Sequence, residues 1–250
     1  TDKLTRHGYH RFYDQFLHHL YGRPIRMLEL GVLGGDSLQA WQSMFDSKQS
    51  MIYGVSWPPT VKTDDLHDNV RILYRDQSDC VHLDEVCAAV GRAPLDLVID
   101  DGSHNPEHQL KTLVKLFPLV APGGFYVIED IETSYWDAPS SSLYGYKLTN
   151  VGVGRPGSLV TALKLLVEVI NQRYAVRNYR PDFSVIDANV DPHISWIMFA
   201  QNMVVLRKKS DEDDPYKAFI GNGADESSWS AFWMQPEVDD VLKTIRGWKC

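Results

Sequence analysis

At 250 residues the chain is long enough for one large domain or two small ones, and its 44% hydrophobic and 23% charged residues are those of a globular protein with a sizeable core. A formal net charge of −8, with no basic run longer than Arg207-Lys208-Lys209, argues against a nucleic-acid partner, which needs a basic face. No apolar run approaches the ~18–20 residues that span a bilayer, so a membrane partner is not expected either.

The segment Thr1 to His7 lacks both the apolar centre of a signal peptide and an initiator Met, the pattern of a processed or excised piece. The first clear element is Ile25 to Leu30, a short apolar run ending at Gly31. After Gly34-Gly35-Asp36-Ser37, the apolar positions Leu38, Trp41, Met44 and Phe45 recur at helical spacing. Strand, glycine turn and helix together open a βαβ unit. Further strands are predicted at Met51–Val55 and Val70–Tyr74, and a short helix from His82 to Val90.

Leu95 to Asp100 is the strongest strand signal, running into Asp101-Gly102-Ser103-His104. Pro106 suits the first turn of a helix whose buried stripe is Leu110, Leu113, Val114 and Phe117. Pro122-Gly123-Gly124 is predicted to turn the chain into the strand Phe125 to Ile128, which ends at Glu129-Asp130. Alternating strands and helices imply an α/β fold with a parallel sheet covered on both faces.

The stretch 134–158, rich in Ser, Gly, Tyr and Pro, has the length and composition of a lid loop. A helix over about 158–173 follows, then an antiparallel hairpin of Ile194–Phe199 with Met203–Leu206. Residues 1–209 read as the main domain; 210–250, with Asp211 to Asp214 and a Trp-containing tail, reads as an extension packed on it. Trp229, Phe232, Trp233 and Trp248 suit packing better than a substrate cage. The three cysteines, Cys80, Cys87 and Cys250, are odd in number without CxxC spacing, so the expectation is reduced thiols and a cytoplasmic location.

Ligands of open α/β sheets bind outside the carboxyl ends of the strands, and each suspicious cluster here lies at such an end. Glu29-Leu30-Gly31-Val32-Leu33-Gly34-Gly35 is not the dinucleotide fingerprint, but its glycines permit close backbone approach. A carboxylate before that turn suits the zwitterionic methionine end of S-adenosylmethionine. Asp100-Asp101 and Glu129-Asp130 end neighbouring strands, and converging carboxylates are the oxygen ligands that Mg²⁺ or Mn²⁺ prefers. His104, three residues after Asp101, can take a proton from a hydroxyl acidified by such a metal.

Two hydrolase patterns fit poorly. His104-Asn105-Pro106-Glu107-His108 matches the H-x-x-E-H zinc peptidase string, but Pro106 should place His104 before the helix rather than in it. Ser103 lacks the flanking glycines of a nucleophile elbow.

Together these residues resemble the metal-dependent sugar O-methyltransferases of macrolide biosynthesis, of mycinamicin and tylosin type, with cephalosporin-hydroxylase-like proteins as broader relatives. The similarity covers about residues 1–208. It rests on Thr1-Asp2-Lys3 with His7 and Tyr9, Leu28 to Gly31, Asp76 to Asp79, Ile99 to His104, and Val127 to Asp130 with Thr133 to Trp136. The resemblance implies a Rossmann-like class I methyltransferase fold, a mostly parallel seven-stranded sheet with a C-terminal antiparallel hairpin. It implies metal ligands at Asp101, Glu129 and Asp130, with His104, assisted by Asp101, as catalytic base. S-adenosylmethionine would be held by Glu29, Gly31, Gly34, Ser56 and Asp100, with Asp76, Gln77 and Ser78 near the adenine. The acceptor would be a small molecule, a sugar hydroxyl of a glycoside or similar polyol, and relatives commonly form homo-oligomers.

One departure stands out. The family usually ends its second strand with an acid that holds the ribose, whereas here Ser56 stands at that point, leaving Asp64 or Asp65 as substitutes. That departure keeps two alternatives open: a metal-dependent protein of the same fold that does not use S-adenosylmethionine, and a non-catalytic binding module.

Overall fold

The computed structural model describes residues 1–62, 66–136, 143–146, 148–171, 184–213 and 236–250. Seven strands form its centre: β1 (Arg26–Leu30), β2 (Met51–Ser56), β3 (Val70–Tyr74), β4 (Leu95–Asp100), β5 (Val120–Glu129), β6 (Ile194–Ala200) and β7 (Met203–Lys208). Their order across the sheet is β3-β2-β1-β4-β5-β7-β6. The first five run parallel, and β7 then pairs antiparallel with both β5 and β6. This is the class I methyltransferase architecture expected of the sequence.

The apolar runs of the central strands are buried on both faces because side chains alternate across the sheet. Leu28, Leu30, Val98, Tyr126 and Ile128 pack on one side. Facing them are α4 (Cys80–Val90), α5 (Pro106–Leu116), α6 (Leu159–Asn171) and α7 (Pro236–Arg246). Met27, Leu97, Ile99 and Val127 pack on the other side against α2 (His10–Leu17) and α3 (Asp36–Met44). A short α1 (Asp2–Thr5) precedes them and carries Lys3, which is buried.

Several boundaries differ from expectation. Helix α4 begins at Cys80, not His82, because Asp79 caps it, accepting from the N–H groups of Val81 (2.8 Å) and His82 (3.4 Å). Pro122-Gly123-Gly124 is not a turn before β5 but lies within it; a register shift between Leu95 and Leu97 absorbs the irregularity. In the C-terminal extension, α7 buries Val238, Val241, Leu242 and Ile245, and Trp248 packs against the same core. Trp229, Phe232, Trp233, Asp214, Asp64 and Asp65 lie outside the described residues.

The cysteine expectation is corrected: Cys80 and Cys250 form a disulfide and Cys87 alone is free, so cysteine usage no longer argues for a reducing compartment. Among the described residues, no helix is long and apolar enough to cross a membrane.

Candidate active site

The site begins at the carboxyl ends of β1, β4 and β5, which the parallel register brings side by side: Leu30 lies opposite Asp100, and Asp100 opposite Ile128. Gly31 leaves β1 at φ 89°, and a Cβ there would overlap the Asp101 carbonyl, so only glycine serves. Its N–H donates to Val55 (2.9 Å), and that of Asp101 donates to Leu30 (3.0 Å). Gly34, by contrast, has open space around it and lines the cavity together with Asp36 and Ser37 at the start of α3.

That cavity, of about 950 Å³, runs from Ser56, Trp57 and Asp76-Gln77-Ser78 past Gly31 and Gly34 to Asp101, His104, Asp130, Glu132 and Tyr144. Its far wall is the N-terminal segment, through Thr1, Asp2, Arg6 and His7. A second cavity of about 560 Å³ adjoins it, with Arg6, His7, Glu132 and Asn202 common to both.

Two of the predicted cofactor residues lie behind the wall. Glu29 is fully buried, accepting from Ser37 Oγ (2.8 Å) and Trp41 Nε1 (3.1 Å). Asp100 is also fully buried, accepting from Gln77 Nε2 (2.8 Å) and Thr112 Oγ1, and burial pushes its pKa up. Each therefore shapes the lining through a neighbour. Gln77 also accepts from the Ser103 N–H (2.6 Å), tying the stretch after β3 to the turn after β4. The Ser56 hydroxyl lines the cavity but donates to the Pro58 carbonyl (3.0 Å).

The acid cluster is organised by a residue to which the sequence alone gave no role. The buried Lys3 Nζ pairs with Asp101, with Glu129 (2.6 Å) and with Glu29 (3.2 Å). Burial alone would lower its pKa, but Glu129, Asp101 and Glu29 together raise it well above the lysine range. Burial likewise raises both Asp101 and Glu129, against the opposing pull of Lys3. Glu129 also accepts from the Tyr13 hydroxyl.

Asp130 follows at φ 50°, out of strand alternation, so its carboxylate turns elsewhere. It accepts from the Tyr9 hydroxyl and from Asn202 Nδ2 (2.9 Å), and Oδ2 lies 3.8 Å from His104 Nε2. His104 itself sits at φ 56° before α5, its carbonyl accepting from Thr133 Oγ1. Its Nδ1 is buried with no hydrogen-bond partner among the described residues.

Asp101, His104 and Asp130 each bring a ligand atom within 4.8 Å of the others, a grouping that could hold a metal ion. Glu129 lies one residue away with its oxygens on Lys3 and Tyr13. Because α5 starts at Pro106, His104 and His108 do not share a helix face; His108 Nδ1 instead meets Ser103 Oγ (2.9 Å). Lys3, Tyr13, Glu132, Tyr144 and Asn202 were missed by sequence reasoning. Only Thr1-Asp2-Lys3 left a motif, and it carried no hint of which acids the lysine meets.

Residues 28–131 match a family model described as a methyltransferase domain. The chain is 32% identical over 209 residues to the 8-demethyl-8-alpha-L-rhamnosyl tetracenomycin-C 2'-O-methyltransferase of Streptomyces olivaceus, covering 79% of this chain and 51% of that protein. Against the 8-demethyl-8-(2-methoxy-alpha-L-rhamnosyl)-tetracenomycin-C 3'-O-methyltransferase of the same organism, identity is 40% over 81% of this chain and 49% of that protein. The chain thus spans about half the length of these curated relatives. Among solved structures, the MycE methyltransferase of the mycinamycin biosynthetic pathway, in complex with Mg and SAH, superposes with a TM-score of 0.70 at 29% identity. That match covers 91% of this chain and 55% of MycE.

Proposed function

We propose that this chain, which is similar to the macrolide and tetracenomycin sugar O-methyltransferases, transfers the methyl group of S-adenosylmethionine to a sugar hydroxyl of a small glycoside. The observation that carries this reading is one continuous cavity joining the Gly31–Gly34 turn to the Asp101, His104 and Asp130 cluster. Donor and acceptor sites must adjoin in this way for a group to pass directly between them.

The residues present fit both groups. Gly34, with open space at its Cα, and the start of α3 offer backbone N–H groups to the carboxylate of the methionine end. Ser56, Asp76, Gln77 and Ser78 provide polar contacts at the other end, while Glu29 and Asp100 hold the lining in place from behind. S-adenosylmethionine supplies a methyl carbon activated by its sulfonium. For Mg²⁺ or Mn²⁺ we assign Asp101, Glu129 and Asp130; Asp101 and Asp130 already bring ligand atoms together, and Glu129 would join them by exchanging its contact with Lys3 or Tyr13 for the cation. Bound there, the cation supplies charge that acidifies and orients a sugar hydroxyl.

His104 is the base, taking the hydroxyl proton at Nε2, the nitrogen that faces Asp130. Asp101 and Asp130 each bring a carboxylate oxygen within 4.8 Å of His104, so the base stands directly beside the acids assigned to the cation. Lys3 balances part of the acid charge and, with Tyr13, holds Glu129. The reading takes residues 1–209 as the catalytic domain and 210–250 as an extension of it, supported by the burial of Val238, Val241, Leu242 and Ile245 in the shared core.

Calorimetry with S-adenosylmethionine, with and without Mg²⁺, followed by mass spectrometry of a panel of glycosides, tests the proposal. Cofactor binding and a methylated glycoside are expected; no cofactor binding in either condition would sink it.

A further inference from the structure

Beyond β5 the chain forms a single-turn 3₁₀ helix, Ile131–Tyr135, that carries Glu132 onto the ridge between the two cavities. The Glu132 carboxylate is under-used there. Its Oε1 accepts from the Tyr144 hydroxyl (3.4 Å), while Oε2 is buried with no hydrogen-bond partner among the described residues. A buried carboxylate oxygen left without a donor costs free energy, and because Glu132 lines both cavities, a small rotation of its side chain would turn that oxygen towards a donor brought by a ligand.

Tyr144 stands beside it with half its surface exposed and its ring in the cavity wall. The ring centroid lies 5.1 Å from that of His104, and Trp136 stacks on it at 6.0 Å and 13°. Tyr144 adopts φ 63°, an unfavourable backbone for a bulky residue, and is followed by Gly145 at φ 75°. An aromatic side chain is thus held in a strained position a few ångströms from the base.

A flat aromatic wall beside a free carboxylate oxygen complements one chemical class well. A pyranose ring presents an apolar C–H face and an edge of hydroxyl donors; the face packs on an aromatic ring and the edge donates to a carboxylate. Building on the function proposed above, we infer that Tyr144, backed by Trp136, and Glu132 form the subsite that seats the acceptor's sugar ring. Glu132 accepts from a hydroxyl that is not the one methylated, and Tyr144 packs against the ring so that the reacting hydroxyl faces His104. Both are positioning residues for the acceptor.

The probe is methyl α-L-rhamnopyranoside, with binding to the full chain followed by saturation-transfer NMR in the presence of Mg²⁺ and S-adenosylhomocysteine. Tyr144→Ala and Glu132→Gln should each weaken rhamnoside binding about tenfold or more, the cost of losing a charge-assisted hydrogen bond or an aromatic contact. Tyr144→Phe should retain most of the affinity, and S-adenosylhomocysteine binding by calorimetry should stay within about twofold in every variant, which also reports correct folding. In turnover both disruptive variants should raise the acceptor KM, and Tyr144→Ala should also lower kcat because the reacting hydroxyl is no longer held towards His104. Unchanged rhamnoside affinity in both, no binding to the parent chain, or equal displacement by p-nitrophenol, which has no sugar, would each overturn the subsite. Rhamnoside binding without any methyl transfer would instead count against the proposed function and leave the subsite standing. Methyl transfer with unchanged KM in both variants would do the reverse.

Discussion

The two ends of the large cavity are built by different means. At the end assigned to the cofactor, backbone groups dominate, and neighbouring strand ends fix them: Gly31 N–H to Val55, Asp101 N–H to Leu30, Ser103 N–H to Gln77. At the end assigned to the acceptor, side chains converge from distant stretches: Arg6 and His7, Glu132, Tyr144 and Asn202. A ligand shared by many enzymes can be held by geometry that any such sheet supplies. An acceptor particular to one enzyme calls for side chains that can be exchanged without disturbing the sheet. The junction between the two ends is the cluster of Asp101, His104 and Asp130.

Substitutions should separate these regions. The largest effect is expected at the junction, where His104→Ala should lower methyl transfer by about 10²–10⁴-fold while cofactor affinity by calorimetry is retained. Full activity in that variant would remove His104 as the base. Next come two glycines of the same turn with opposite behaviour. Gly31→Ala drives a Cβ into the Asp101 carbonyl at φ 89° and should cost about 4 kcal/mol or more in urea unfolding. Gly34→Ala meets nothing within 4 Å, so stability should hold while cofactor affinity falls. Equal losses of stability would erase the distinction between a structural and a ligand-facing glycine.

Lys3→Met tests how the N-terminal segment is fastened to the acids. Leaving Asp101, Glu129 and Glu29 buried without their cation should cost about 3 kcal/mol, read from the urea midpoint at pH 7. The smallest effect belongs far from both ends, at Asp213 beside Arg207 (2.9 Å). Partial burial works to raise its pKa, but hydrogen bonds from Ser195, Ser210 and Arg207 outweigh it and lower the pKa from 3.8 to about 2. A depressed acid adds stability that is complete above its unfolded pKa and is lost as pH falls through the folded one. Asp213→Asn should therefore cost under about 1 kcal/mol at pH 5, and the difference should shrink through pH 2 and vanish below it.

The backbone-built end was also the more legible one. Apolar runs that stop at glycine or paired acids announce parallel strands and their ligand-facing ends, as at Leu95 to Asp101 and Phe125 to Asp130. Strand alternation says which face a residue takes only while the backbone stays extended. Glu129 and Asp130 therefore look equivalent in sequence, yet one turns to Lys3 and the other, at φ 50°, to Tyr9 and Asn202. The Lys3 contacts span 98 and 126 residues of chain, a separation that no local pattern encodes. Pro122-Gly123-Gly124 carried a turn signal that is realised as an irregularity inside β5, at the register shift, with Gly123 at φ 79°.

The Cys80–Cys250 link makes much of this molecule a covalent ring. Because 170 positions separate the two cysteines, β4, β5, Tyr144 and helices α5 to α7 all lie on a closed circuit, while β1 to β3 lie on the open arm leading into it. A protease that nicks the circuit once leaves both pieces attached. Such a molecule should migrate as a single species until a reductant is added, and a cut in the open arm should release its fragment at once when the fold is denatured.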